Sequence, residues 1–281
     1  MTPHRPAQDG SRSRRGRATK NSRGWGYCPR LRYEDDRAEY LHAGDRTVVK
    51  DKKASRYFEV ATASLPSDIR WRSVRSRLTP KWYRAYVGVA AALLTVHLSL
   101  VFVPLPAEDR SQISFEIVAL AAVYTVVQAG LHEAGHVIAL RFFGRKPDKI
   151  SLKLNFKVLP AIYVRMNDAH MLEAREKILV HSAGLAVNGA LGVAVLCTNH
   201  LWFQSEGLRT IIWIFAVGLW ANTLPLLTSD GHKILLAALD VNERRDMALN
   251  RPFVRRIHRL SWCTAIALAF LMIRQVAGLW V

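Results

Sequence analysis

The stretch VVQAGLHEAGHVIAL, residues 126–140, sets His132, Glu133 and His136 inside an apolar run that extends over residues 117–140. About 20 apolar residues suffice for a helix to cross a hydrocarbon core of ~30 Å. Ionisable side chains are costly inside such a run, and their presence there marks function. The spacing is H-E-x-x-H. On a helix, residues i and i+4 share one face about 6 Å apart, so both imidazoles can bind one zinc ion. Glu133, beside the first histidine, is placed to act as general base towards a water that the ion activates, the chemistry of amide hydrolysis.

Four further apolar runs, at residues 85–103, 178–197, 211–227 and 260–281, approach the length of a span. The fold expected is therefore mainly α: a polytopic membrane protein of about five transmembrane helices. The formal net charge of +18 from 40 Lys+Arg against 22 Asp+Glu would suggest a nucleic-acid binder in a soluble chain. Its distribution points elsewhere. Lys and Arg number 21 before the first run, one in 104–113, nine in 141–177, none in 199–207 and seven in 229–259. Basic and neutral connections alternate, which places the N-terminus and both basic loops in the cytoplasm and the C-terminus outside. The expected location is the cell membrane, with the lipid bilayer as partner and no nucleic acid. Three widely spaced cysteines, Cys28, Cys197 and Cys263, form no C-x-x-C pair and no disulfide framework.

Three domains follow. Residues 1–24 are an Arg-rich disordered tail without the apolar core of a signal peptide. Residues 25–84 are a small cytoplasmic β-meander, with strands at Tyr40–His42, Thr47–Lys50 and Arg56–Val60 separated by turn formers; it is too small for an enzyme and suits docking or stabilisation. Residues 85–281 form the transmembrane domain. Within it, Ile150, Leu152, Leu154, Phe156 and Val158 alternate with Ser151, Lys153, Asn155 and Lys157, the period of a strand. Pro160 is expected to end that strand and Ile162–Arg165 to return as a membrane-surface hairpin, whose edge could receive an extended substrate.

A catalytic zinc site needs a third protein ligand. After the fourth run comes Asn222-Thr223-Leu224-Pro225-Leu226-Leu227-Thr228-Ser229-Asp230-Gly231. Pro225 breaks the helix, Asn222 can satisfy the backbone groups so freed, and Asp230 is an acid on a turn at the cytoplasmic end. The H-E-x-x-H lies in the cytoplasmic half of its own run. In the third run, Ala183, Gly184 and Gly189 suit close helix packing. Asn188 there serves either an interhelical hydrogen bond or the substrate. His97 and His181 read as interhelical hydrogen-bonding groups, and His232 as a residue supporting Asp230.

Taken together, H-E-x-x-H (His132–His136), Ala183-Gly184-x-x-x-Asn188 and Asn222-x-x-Pro225-x-x-x-x-Asp230-Gly231 resemble the motifs of the site-2 protease family of intramembrane zinc metalloproteases. The resemblance covers residues 115–233 and implies Zn2+ on His132, His136 and Asp230, Glu133 as base, and Asn188 and Asn222 near the substrate. Ser229 departs from the leucine common there. The substrate is then a single-span membrane protein or a small precursor peptide. The front end, with Arg56-Tyr57-Phe58, resembles members that process ribosomally made peptides. A prenyl-protein type of protease would need a ligating Glu in a later span, and none follows. The alternative is a non-catalytic membrane protein, either a metal-binding pseudoprotease or a peptide immunity or transport component. An intact Glu133 argues against it.

Overall fold

The computed structural model describes residues 30–74, 76–100, 115–155, 159–225, 229–241 and 252–277. The basic tail, Cys28 and the C-terminal residues 278–281 lie outside them. The described part is mostly helical, with an antiparallel sheet at its N-terminal end.

That sheet contains β1 (Arg30–Glu34), β2 (Ala38–Ala43), β3 (Arg46–Asp51), β4 (Arg56–Ala61) and β5 (Arg72–Val74), in the order β4-β3-β2-β1-β5. Three strands of the meander fall where alternation and turn formers put them; β1 and β5 are additional. β5 returns to the far side of β1, pairing Arg30 with Val74 and Arg32 with Arg72. Three residues are too few to carry a readable alternation, so only the pairing reveals it.

Among the described residues six α-helices follow: α1 (Pro80–Ser99), α2 (Phe115–Phe142), α3 (Ala174–Thr198), α4 (Glu206–Thr223), α5 (Asp230–Ala238) and α6 (Pro252–Ala277). α1 is started by Thr79, whose side chain accepts from the Trp82 amide, and by Pro80, which needs no amide partner in the first turn. Each of the five expected runs overlaps a helix, although residues 101–103, 226–227 and 278–281 lie outside the described residues and the fourth run leaves α4 at Leu224. Among the described residues, however, only α2 and α3, the latter continued by a short π-helical turn to Phe203, combine the length and apolarity of a membrane span. Charge dilutes α1 and α4: Lys81 and Arg84 in the first, Glu206 and Arg209 in the 18-residue second.

Between α2 and α3 stands the hairpin of β6 (Lys149–Asn155) and β7 (Leu159–Arg165), in register from Lys149↔Arg165 to Asn155↔Leu159. Pro160 does not end a strand; it lies within β7, opposite Leu154. A two-stranded sheet consists of edges only, and an edge position tolerates a residue without an amide hydrogen. Phe156 and Val158 lie outside the described residues.

The sheet docks onto the segments flanking this hairpin. Leu41 and Val48 pack on Met171. Glu39 receives both Arg145 guanidinium nitrogens at 2.7 and 2.5 Å, and Asp168 accepts from Lys50 Nζ at 2.6 Å and from the Tyr57 hydroxyl at 2.7 Å. Burial pushes both carboxyls up, but their hydrogen-bonded partners outweigh it and hold each below its usual range. A second cluster, including Leu78, Leu140, Phe143, Leu172, Val180 and Ala183, joins the end of α2 to the start of α3. Sheet and cluster together fix the two helices that carry most of the site.

Candidate metal centre

α2 puts His132 and His136 on one face, one turn apart, and their Nε2 atoms stand 3.1 Å from each other. Asp230, 94 residues beyond His136, brings its Oδ2 to 2.9 Å from His132 Nε2 and 3.3 Å from His136 Nε2. His136 and Asp230 are buried and His132 nearly so. Ligands 2.0–2.1 Å from a tetrahedral ion stand about 3.3 Å from one another, so these spacings suit a single zinc. The donor set suits it too, with two imidazole nitrogens and a carboxylate oxygen converging on one point. His136 Nδ1 lies 2.6 Å from the Val180 carbonyl. It donates there, which leaves the Nε2 lone pair facing the carboxylate.

Asp230 arrives by local chemistry that the sequence pattern encodes. α4 stops at Thr223 because Leu224, preceding Pro225, is extended, with ψ 148°. Ser229 then caps α5: its hydroxyl accepts from the His232 amide at 3.1 Å and donates to the Leu224 carbonyl at 2.7 Å. The departure from leucine at this position thus has a structural use. A Cβ at Gly231 would run into the Thr223 and Leu224 carbonyls, so only glycine lets the start of α5 close against the end of α4. Asn222 spans the gap, donating to Asp230 Oδ2 at 3.2 Å and accepting from the Asp230 amide at 3.1 Å. α6 is tied to the same corner through the Ser261 hydroxyl, which donates to the Pro225 carbonyl at 2.8 Å.

α3 closes the site from the other side. Asn188 puts its amide 3.1 Å from His132 Nδ1. A Cβ at Gly184 would stand 2.5 Å from His136 Nε2 and 2.7 Å from His132 Nε2, so the bare backbone of α3 abuts both imidazoles. Glu133 is half-buried on α2 beside them. The structure therefore brings His132, His136 and Asp230 together and sets Asn188 and Asn222 behind two of them. His97 on α1 faces the backbones of Asn188 on α3 and Ile212 on α4, the interhelical place expected of it, and Nδ1 of His181 finds no hydrogen-bond partner among the described residues. Sequence reasoning missed Lys233, whose Nζ donates to Asp230 Oδ1 at 3.2 Å. Its i,i+3 position on α5 was the available signal.

A curated protein of Bacillus subtilis (strain 168), named "Putative peptide zinc metalloprotease protein YydH", is 33% identical to this chain over 229 residues, which is 81% of this chain and 90% of that protein. The chain belongs to the peptide zinc metalloprotease family. The match is far longer than the H-E-x-x-H helix alone. No family model matches the chain, and no solved structure matches it. The resemblance read from three short motifs and the similarity measured over most of this metalloprotease's length agree.

Proposed function

We propose that this chain is a membrane-embedded zinc endopeptidase of the site-2 protease type that cleaves a small precursor peptide near the cytoplasmic face. The observation that carries the reading is the convergence of His132, His136 and Asp230 donor atoms within 2.9–3.3 Å of one another. Zinc, when bound, supplies Lewis acidity and makes water nucleophilic at neutral pH. Glu133 takes the proton of the attacking water and returns it to the leaving amine nitrogen. Asn222 and Lys233 hold the Asp230 carboxylate, and Asn188 holds the His132 ring, each from behind the ligand rather than against the substrate. Five spans, with the N-terminus cytoplasmic, are supported by the alternating Lys/Arg counts. The outward faces of α2 and α6 add to this: Val123, Val126 and Ile138 on one and Leu260, Ile266 and Phe270 on the other are each at least 60% exposed, as lipid-facing side chains would be. A peptide substrate is supported by the name of the Bacillus relative.

Metal content and cleavage test this together. Protein in lipid nanodiscs should hold about one zinc per chain, lost in His136→Ala and in Asp230→Ala. Glu133→Gln should keep the zinc and abolish cleavage of peptides that the wild-type chain cuts in a peptide-library screen. A Glu133→Gln variant that leaves the chain's biological effect intact would instead establish a non-catalytic peptide-binding protein.

A further inference from the structure

α3 does not stop at Thr198. It runs on as the π-helical turn Asn199–Phe203, and α4 begins at Glu206. The link closes on itself. The Asn199 carbonyl accepts from the Gln204 amide at 2.6 Å. The Asn199 side chain accepts from the Ser205 amide at 2.9 Å and donates to the Ser205 carbonyl at 3.0 Å. The Ser205 hydroxyl then accepts from the Leu208 amide at 3.3 Å and caps α4. The chain thus reverses with these polar groups matched internally, as a turn in contact with hydrocarbon requires.

What the turn presents outward is apolar. Leu201, Trp202 and Phe203 are 63%, 71% and 66% exposed, and no Lys or Arg stands between residues 199 and 207. α2 begins at the same level: a Cβ on Gly207 would meet the Ile117 side chain at 3.1 Å, and Phe115, two residues before it, is also exposed. Tryptophan concentrates where lipid headgroups meet acyl chains, because its ring is apolar in body and polar at one edge. Uncharged apolar neighbours favour the acyl side of that boundary.

Helix length gives an independent measure of depth. At 1.5 Å per residue, Asn222 in the metal corner stands about 26 Å along α4 from Ser205. Gly184, against the ligand imidazoles, stands about 29 Å along α3 and its continuation from Phe203. Both helices therefore separate the turn from the metal centre by close to one hydrocarbon thickness, ~30 Å. A metal centre at the cytoplasmic boundary leaves the turn at the opposite one.

We propose that Leu201-Trp202-Phe203 is an anchor in the headgroup–acyl boundary of the outer leaflet, from which α3 and α4 hold the metal centre at the cytoplasmic boundary. The inference rests on the membrane-embedded part of the proposed function and adds the surface that sets its depth. A second copy of the chain fits less well, because three residues on one tight turn make a patch far below the area of a stable interface.

The test is quenching of tryptophan fluorescence in the full chain, in nanodiscs of phosphatidylcholine. Trp202→Phe removes one of eight tryptophans with little loss of bulk, so the difference between wild type and variant reports Trp202. Trp202→Leu takes its place should that variant fail to fold. Lipid brominated near the headgroup end of its chains should quench the difference signal about threefold more than lipid brominated near the chain ends. Acrylamide in the water should quench it less than half as strongly as it quenches free tryptophan. A signal quenched by acrylamide like free tryptophan and untouched by brominated lipid would overturn the inference. Stronger quenching by chain-end bromines would do the same, since it puts the turn in the bilayer middle. A signal shielded from both quenchers would overturn it in favour of a contact with protein. In each of these cases, quenching of the other tryptophans by brominated lipid leaves the membrane reading standing. A chain that stays in solution without lipid, with none of its tryptophans quenched by brominated lipid, would instead defeat that reading.

Discussion

Replacing Gly184 by alanine adds one methyl group at the tightest point of the metal centre. The added carbon would stand 2.5 Å from His136 Nε2, 2.6 Å from His132 Cε1 and 2.7 Å from His132 Nε2. Ordinary contact begins near 3.5 Å, so about 1 Å of movement is required. The rings cannot yield separately, because His136 is held by the Val180 carbonyl and His132 by Asn188. The helices yield with equal difficulty: Gly135 already packs on α3, where a Cβ would meet Val187 at 3.0 Å and the Ala183 carbonyl at 3.1 Å. A displacement of about 1 Å is several times the ±0.2 Å that metal–ligand distances tolerate. Gly184→Ala should therefore weaken zinc at least 100-fold, while overpacking costs the fold about 1–3 kcal/mol. Gly130→Ala on α2, where the added carbon meets nothing within 4 Å, is the control and should bind zinc as wild type. Chelator competition on both variants decides the matter. Wild-type zinc affinity in Gly184→Ala would refute the claim that α3 backs the ligand imidazoles.

Asn222→Leu should lower zinc affinity about 10–100-fold, because Asp230 loses its cross-corner partner; the same competition assay measures it. Arg145→Met leaves the Glu39 carboxylate, 9% exposed, buried and unpaired. The docked sheet should lose about 3–5 kcal/mol and gain protease sensitivity at residues 30–74, with most of the loss restored by Glu39→Met in the same chain. Acidification should loosen the same seam. His170 packs tilted against Tyr57, ring centroids 5.8 Å apart, and burial, together with the charge of Lys177, pushes its imidazole down to about 4. Above its unfolded value of roughly 6.5 the ring is neutral in both states. Between there and pH 4 only the unfolded chain takes up the proton, so stability falls across that window by up to roughly 3 kcal/mol. Hydrogen exchange of the sheet amides should rise as pH is lowered from 7 to 4.5 once corrected for intrinsic rates, and a His170→Phe variant should show less of the rise.

The sequence by itself determined the features that depend on neighbours along the chain. His132 and His136 face one way because the helix repeats every 3.6 residues. α4 ends before Pro225 because proline restricts the residue preceding it. The meander strands and the hairpin follow from alternation and turn formers. Asp230 was legible as a candidate because it is an acid on a turn after the Pro225 break, at the same end of the membrane as the H-E-x-x-H, and its distance from the histidines was not. Tertiary structure alone decided how segments far apart in sequence meet. It set Asp230 Oδ2 within 3.3 Å of both imidazoles and turned Asn188 towards His132. It gave Gly184 a role beyond helix packing, seated His97 in the notch at Gly192, and paired Glu39 with Arg145 across 106 residues. Periodicity is a property of the backbone and survives in any context. Which face meets which is chosen by the summed packing of all the helices and the sheet, and no short stretch of sequence contains that sum.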